Sequence, residues 1–134
     1  MSRARVTPGG EIGPGLCVLL GVAEGDDEAT ADRLAAKLAK LRIFENEAGK
    51  FDRSLVDVGG AALVVSQFTL TADTAKGNRP SFADSARPER AAPLYERLCT
   101  ALEELGVTVA RGEFGARMEV ELVNEGPVTI VLDT

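Results

Sequence analysis

Residues 61–70, AALVVSQFTL, join an uninterrupted apolar run to a polar end. Gly59 and Gly60 precede the run, so the pattern predicts a buried strand over Ala61–Leu70. Polar side chains and backbone N–H groups at the end of a buried strand can face a ligand, and such strand ends often carry sites. The stretch therefore predicts a core strand with a candidate site at its end. The alternative is an ordinary strand terminus whose polar groups satisfy the backbone.

A second apolar stretch, Gly15–Ala23, predicts another buried strand after a short polar lead. Acidic residues mark a helix start at 26–28 and basic residues mark its end at 37–42, as the helix dipole favours. The apolar stripe of this first helix is expected at Leu34, Leu38 and Leu41. Segment 42–51, RIFENEAGKF, predicts a hairpin with a polar turn.

A second helix is predicted downstream of a Gly-, Asn-, Pro- and Ser-rich loop over Ala72–Ala86. Pro88 suits its first turn, Pro93 allows a later start, and Gly106 suits its end. Its apolar stripe is Leu94, Leu98, Leu102 and Leu105. Period-two patterning predicts further strands at Val107–Ala110, Met118–Val123 and Val128–Leu132.

These elements predict an α/β (α+β) fold, with a mixed, largely antiparallel or barrel-like sheet and two main helices. The 134 residues, 45% of them apolar, suit one domain over 1–134. No apolar run is long enough for a membrane span, and MSRARVTPGG lacks the apolar core of a secretory signal, so we expect a cytoplasmic protein.

Histidine is absent from the sequence, which excludes Ser-His-Asp and Cys-His hydrolysis and histidine-ligated zinc. Cys17 and Cys99 lie in apolar patterns and are expected to be small buried hydrophobic residues. Thr69 is a conceivable nucleophile, but its hydroxyl needs an activating base, and nothing ties the nearest amine, Lys76, to it. Any catalysis must come from carboxylates, lysine, hydroxyls, the backbone or the substrate.

The formal net charge of −6 argues against nonspecific coating of nucleic acid. Between Lys76 and Arg90, however, four basic residues face two acidic ones. Such a local basic segment on an acidic protein can bind one end of an RNA, or it can be a solvated loop.

Segment 124–129, NEGPVT, interrupts two alternating patterns with a Gly-Pro pair. Proline cannot donate a ladder hydrogen bond and is found at sheet edges, strand starts or bulges. The pair therefore indicates either a tight turn or a piece of backbone presented to something else.

The motifs occur in a specific order: SQFTL, KGNRPSF (76–82), FGARM (114–118) and NEGPVT, with EIGPGLCVLLGV and LRIFENEAGK upstream. In this the chain resembles the D-aminoacyl-tRNA deacylase (DTD) family over essentially its whole length, and SQFTL and N-x-G-P-x-T are that family's signatures. The resemblance implies the DTD fold and a homodimer. It also implies an enzyme that hydrolyses the ester between a D-amino acid, or glycine, and the 3′-terminal adenosine of tRNA. No metal and no organic cofactor are implied, and neither is a membrane or DNA partner.

The resemblance also implies roles for individual residues. The Gly126–Pro127 peptide would be cis and would enter the active site of the other subunit, where it receives the substrate ammonium and blocks an L side chain. The substrate's own 2′-hydroxyl would assist the chemistry. Ser66, Gln67, Phe68 and Thr69 would line the adenosine and ester pocket, with backbone N–H groups near Phe68 and Thr69 contacting the ester. The remaining implied residues are Met118 in the pocket wall, Asn124 and Thr129 as supports of the turn, and Lys76 and Arg79 as phosphate contacts.

The match departs from the family at the N-terminus. Relatives normally begin with a further strand that ends in a Gln-Arg pair before the S-R-A-x-V segment, whereas this chain opens at Met1-Ser2-Arg3-Ala4-Arg5-Val6. One strand, and an arginine that helps to fix the Gly-Pro insertion, are thus expected to be missing through a late start assignment or a truncation. Two other hypotheses remain: a deacylase of mischarged L-alanine with a trans Gly-Pro, and a noncatalytic dimeric RNA-binding or structural remnant.

Overall fold

The computed structural model describes residues 1–134. Seven strands and three helices follow one another along the chain. In order they are β1 (Ser2–Thr7), β2 (Glu11–Leu20), α1 (Glu28–Lys40), β3 (Phe44–Glu45), β4 (Phe51–Arg53), α2 (Leu55–Val58), β5 (Ala61–Ser66), α3 (Pro88–Glu104), β6 (Thr108–Arg111) and β7 (Glu119–Asn124). No helix is both long enough and apolar enough to cross a membrane.

Five strands form the main sheet in the order β6-β5-β2-β1-β7. Strand β5 is parallel to both β2 and β6, whereas β1 is antiparallel to β2 and β7. Strands β3 and β4 form a separate antiparallel hairpin, as predicted. The prediction of a mixed, largely antiparallel sheet with two main helices is confirmed.

The N-terminal segment was expected to be a polar lead, and this prediction was wrong. Ser2–Thr7 is a strand between β2 and β7, and β2 itself begins at Glu11 rather than Gly15. Ala4 and Val6 face the core while Arg3 and Arg5 are exposed, so the alternation is present. The two arginines made the segment look merely polar, because a strand with one face in solvent has polar residues on that face.

Helix α1 begins with a capping box between Asp27 and Thr30. The predicted leucine stripe forms only part of the apolar face of α1, because the fully buried residues of this helix are Ala31, Ala35 and Ala39. Leu34 and Leu38 lie beside that row and are only partly buried, and Leu41 caps the helix. Short alanine side chains let α1 lie close to α3, which fills the core with larger residues.

Helix α3 starts with Pro88 at its first position, so Pro93 lies inside it and does not delay its start. Leu94, Leu98 and Leu102 are buried as predicted, whereas Leu105 follows the helix and is exposed. Tyr95, also buried, donates a hydrogen bond of 2.6 Å from its hydroxyl to the carbonyl oxygen of Val64. This bond ties α3 to strand β5, next to the central strand β2.

Two strand ends also differ from the predictions. The strand predicted over Ala61–Leu70 ends at Ser66, and Phe68–Thr71 forms a single 3₁₀ turn because Leu70 N–H bonds to the carbonyl of Gln67. Val128–Leu132 forms no strand, since no partner strand lies beside it in this chain. The short helix α2, which was not predicted, has a Ser54–Asp57 capping box and a left-handed Gly59 at its end.

Candidate active site

A cleft of about 520 Å³ opens where the carboxyl ends of β2 and β5 meet the start of α3 and the segment before β7. Ten of its 14 lining residues are hydrophobic, and none is ionisable. The lining residues are Leu20, Val22, Val65, Ser66, Gln67, Phe68, Ala86, Pro88, Ala91, Phe114, Gly115, Ala116, Met118 and Val120. The structure thus brings Ser66, Gln67, Phe68 and Met118, all predicted site residues, into one cleft.

The SQFTL segment turns sharply at the mouth of this cleft. Gln67 donates its backbone N–H to the carbonyl of Leu20 over 2.8 Å, which joins the turn to the end of β2. The Gln67 amide Nε2 donates to Thr69 Oγ1 over 2.5 Å. Thr69 is exposed and does not line the cleft, and its hydroxyl has no acidic or basic partner. Nothing in the structure therefore activates Thr69 as a nucleophile.

The carbonyl oxygen of Phe68 is held from the following loop. Thr71 Oγ1 donates to it over 2.7 Å, and Ser85 Oγ, which lies 3.5 Å from the same carbonyl oxygen, donates its hydrogen to Thr71 Oγ1. The Phe68 ring contacts the ring of Phe82, with 5.1 Å between centroids. Thr71 of the 3₁₀ turn, together with Phe82 and Ser85 near the end of the 72–86 loop, thus fixes the geometry of Phe68.

The NEGPVT turn is organised by Asn124. Its Nδ2 donates to Thr129 Oγ1 over 3.0 Å, and its Oδ1 accepts the backbone N–H of Val128 over 3.3 Å. The Gly126–Pro127 peptide is cis, and both residues are exposed. Neither they nor Asn124 and Thr129 line the cleft of their own chain.

Lys76 and Arg79 are also outside the cleft. They lie in the tip of the 72–86 loop, which is closed by two backbone hydrogen bonds of 2.8 Å between Asp73 and Ser81. Both side chains are exposed and neither forms an ion pair.

Neither thiol is placed for nucleophilic chemistry. Burial raises the pKa of Cys99 to about 11 and raises that of Cys17 above its ordinary value, and neither residue lines the cleft. A thiol with a raised pKa is protonated at neutral pH and is a poor nucleophile. No group of three or more His, Cys, Asp or Glu residues is arranged to hold a metal ion.

Sequence reasoning missed most of the apolar wall of the cleft. Phe114, Gly115 and Ala116 form part of it, although only Met118 of the FGARM motif was singled out. Gly115 has a φ of +79°, which a glycine tolerates, and this turn brings the motif against the SQFTL segment. The FGARM motif was the one sequence feature that could have indicated these residues.

The cleft is thus lined by apolar and uncharged polar residues and by no ionisable side chain. The family model described as D-Tyr-tRNA(Tyr) deacylase matches residues 1–133. The chain belongs to this family, and with it to the hydrolases that act on ester bonds.

Curated relatives agree with this assignment. A D-aminoacyl-tRNA deacylase of Symbiobacterium thermophilum is 58% identical, with 100% of this chain and 91% of the relative covered. A relative of the same name from Roseiflexus sp. is 59% identical, with 100% and 89% covered. One from Deinococcus radiodurans is 59% identical, with 92% and 86% covered.

Two solved structures share the fold. One, described as c-Myc DNA Unwinding Element Binding Protein, is 37% identical with a TM-score of 0.90, and 100% of this chain and 99% of the other are covered. The other is described as a probable eukaryotic D-amino acid tRNA deacylase. It has a TM-score of 0.73 at 18% identity, with 92% and 89% covered, and supports the fold alone.

Proposed function

We propose that the chain, as a cytoplasmic homodimer, hydrolyses the ester between a D-amino acid, or glycine, and the 3′-terminal adenosine of tRNA. The observation that carries this proposal is the cleft itself, where Ser66, Gln67 and Phe68 meet an apolar wall and no ionisable side chain lines the surface. Such a site suits a reaction that needs a positioned ester more than a protein acid or base.

The backbone at the start of the 3₁₀ turn provides the electrostatic contribution. Phe68 and Thr69 are its first two residues, so their N–H groups have no partner within the turn. Two free N–H groups beside a cleft are suited to bind the oxyanion that develops when the ester is attacked. The exposed ring of Phe68 offers a surface on which the terminal adenine can stack.

The partner subunit supplies the selectivity in this proposal. Gly126 and Pro127 are exposed on a turn outside their own cleft, and Asn124 holds that turn from within. In the dimer, the turn enters the cleft of the other subunit, receives the ammonium group and occupies the space that an L side chain needs. This is selection by exclusion, so glycine, which has no side chain, is also accepted.

Exposed apolar residues beside the turn support a dimer. Strand β7 is an edge strand, and it exposes Val120, Leu122 and Val123. Ile130 and Val131 follow in the unpaired C-terminal segment, where Val131 is 89% exposed. Exposed apolar side chains at a sheet edge are typical of a surface covered by another chain.

The substrate supplies the missing acid–base group in this mechanism. Its 2′-hydroxyl is adjacent to the ester, so it can assist the attack of water without help from a protein side chain. No metal or organic cofactor takes part, and Thr69 is not the nucleophile.

The 3′ end of tRNA is the proposed nucleic-acid partner, with Lys76 and Arg79 as phosphate contacts. One structural relative is named for DNA binding, but DNA is not proposed as a partner of this chain, because a net charge of −6 disfavours extended phosphate binding. Two exposed cations at one loop tip suit the short unpaired end of an RNA.

Parallel incubation with D-tyrosyl-tRNA and L-tyrosyl-tRNA tests the proposal. We expect rapid loss of the D ester while the L ester persists. Persistence of both esters would indicate a noncatalytic remnant. A third incubation, with mischarged L-alanyl-tRNA, covers the remaining hypothesis: loss of that ester while the D ester persists would indicate the related L-alanine deacylase.

A further inference from the structure

Two phenylalanine rings stand together at the mouth of the cleft, and only one of them lines it. Phe68 and Phe82 are 58% and 37% exposed, with 5.1 Å between ring centroids and 59° between ring planes. Phe82 lies outside the lining of the cleft. The pair thus extends the aromatic surface of Phe68 away from the site of chemistry.

The loop that carries Phe82 is held in place by backbone hydrogen bonds. Next to Phe82, Ser81 and Asp73 bond to each other twice. Further along, Glu24 N–H donates to Asp84 over 2.8 Å and Ala86 N–H donates to Val22 over 3.0 Å, which joins the loop to the segment after β2. The backbone around Phe82 is therefore held in place by hydrogen bonds on both sides of this residue.

Along the 72–86 loop, two basic side chains are followed by an aromatic side chain that contacts Phe68 at the cleft. Lys76 and Arg79, which have no ion-pair partners, lie in the tip closed by the Asp73–Ser81 pair. Phe82 follows that pair directly, then Phe68, then the cleft. Alternating contacts to phosphates and stacked bases are the general mode of binding single-stranded nucleic acid.

We propose that Phe82 is a second base-stacking residue, which takes the nucleotide before the terminal adenosine while Phe68 takes the adenosine itself. This inference rests on the proposed function for the identity of the RNA. It assigns the 72–86 loop to recognition of the unpaired 3′ end, so that the terminal ester enters the cleft in a fixed register.

Binding of unacylated RNA tests the assignment without any hydrolysis. The probes are an RNA oligonucleotide ending in CCA and the same oligonucleotide with an abasic site in place of the penultimate base. For the unaltered protein, we expect the abasic probe to bind about tenfold more weakly. Phe82→Leu should weaken binding of the intact probe by a similar factor and leave binding of the abasic probe unchanged.

Two matched variants control the test. Phe82→Tyr keeps an aromatic ring and should bind both probes as the unaltered protein does. Phe51→Leu makes the same change at an exposed phenylalanine of strand β4 that does not line the cleft, and should also have no effect.

Three results would overturn the assignment. These are equal binding of both probes by the unaltered protein, an equal loss on both probes for Phe82→Leu, and a loss of the dimer in that variant. Absence of hydrolysis together with the expected binding pattern would overturn the proposed activity and still support Phe82 as a base contact.

Discussion

Asn124 donates a hydrogen bond from its Nδ2 to Thr129 Oγ1 over 3.0 Å, across the exposed Gly126–Pro127 pair. Its Oδ1 accepts the backbone N–H of Val128, so one amide spans the turn from both sides. A turn held in this way presents its backbone in one conformation, which a role in another subunit's cleft requires.

Asn124→Ala should reduce kcat/KM on D-tyrosyl-tRNA by up to about a hundredfold, because small displacements of a positioning group are costly. The matched control is Asn46→Ala. Asn46 Oδ1 accepts the N–H groups of Ala48 and Lys50 in the β3–β4 turn, which does not line the cleft. Both variants should lose about 1 kcal/mol of stability, but only Asn124→Ala should lose activity. Equal activity in the two variants would contradict a functional role for the turn.

Thr69→Ala should retain most of the activity. The Thr69 hydroxyl accepts a hydrogen bond from Gln67 and has no base beside it, so removing it takes away no nucleophile. Steady-state kinetics on the D ester provide the measurement. A fall of kcat by about 10⁵-fold or more, as when a true nucleophile is removed, would show that the backbone mechanism is wrong.

Gly15→Ala should destabilise the fold by about 2 kcal/mol or more. A Cβ at Gly15 would overlap the backbone carbonyl of Ala61, its partner in the parallel β2–β5 pairing. In the same strand, a Cβ at Gly13 meets nothing within 4 Å, so Gly13→Ala should change stability by less than about 0.5 kcal/mol. Urea denaturation compares the two variants, and equal midpoints would contradict the close approach.

The melting temperature should change little between about pH 6 and 8, because the chain has no histidine to titrate there. It should then fall in acid. The Arg97 guanidinium, hydrogen-bonded to Asp32 over 2.8 and 2.9 Å, holds the pKa of Asp32 below its ordinary value of 3.8.

The lowered pKa of Asp32 determines how stability changes with pH. A carboxyl group with a lower pKa in the folded state stabilises the fold above its unfolded pKa, and that contribution is lost as pH falls through the folded value. The Asp32→Asn variant should therefore lose less stability than the unaltered protein between about pH 5 and 3. Parallel acid melts of the two proteins measure this difference, and identical curves would contradict it.

Much of the fold was predictable, because apolar runs and helix-end charges are local signals. They located β2, β5, α1, α3, the hairpin and β7 within a few residues. The failures share a physical cause, which is that the decisive partner is distant in sequence. Ser2–Thr7 is a strand because it has neighbours on both sides, and Val128–Leu132 has the pattern of a strand but no neighbour in this chain.

The site was predictable from its sequence motifs, but not from a pattern of catalytic side chains. Ser66, Gln67, Phe68 and Met118 were predicted and do line one cleft. The apolar wall from Phe114 to Ala116 and the ring of Phe82 could not be located, since folding alone brings them beside Phe68. No ionisable pattern marks the cleft, so composition contributed only by excluding histidine chemistry.

Complementation between two inactive variants tests most directly whether the NEGPVT turn of one subunit enters the cleft of the other. Gly126→Val disrupts the turn, because Gly126 has a φ of +133°, which a β-branched residue rarely adopts. Phe68→Asp disables the cleft at an exposed position and leaves the turn intact.

In a mixed dimer of these variants, one cleft is intact and faces an intact turn. After subunit exchange, the mixture should therefore hydrolyse D-tyrosyl-tRNA at about a quarter of the unaltered rate, since about half of the dimers are mixed and each has one working site. Each variant alone should be inactive. A mixture that contains mixed dimers by native mass spectrometry and remains inactive would contradict the account.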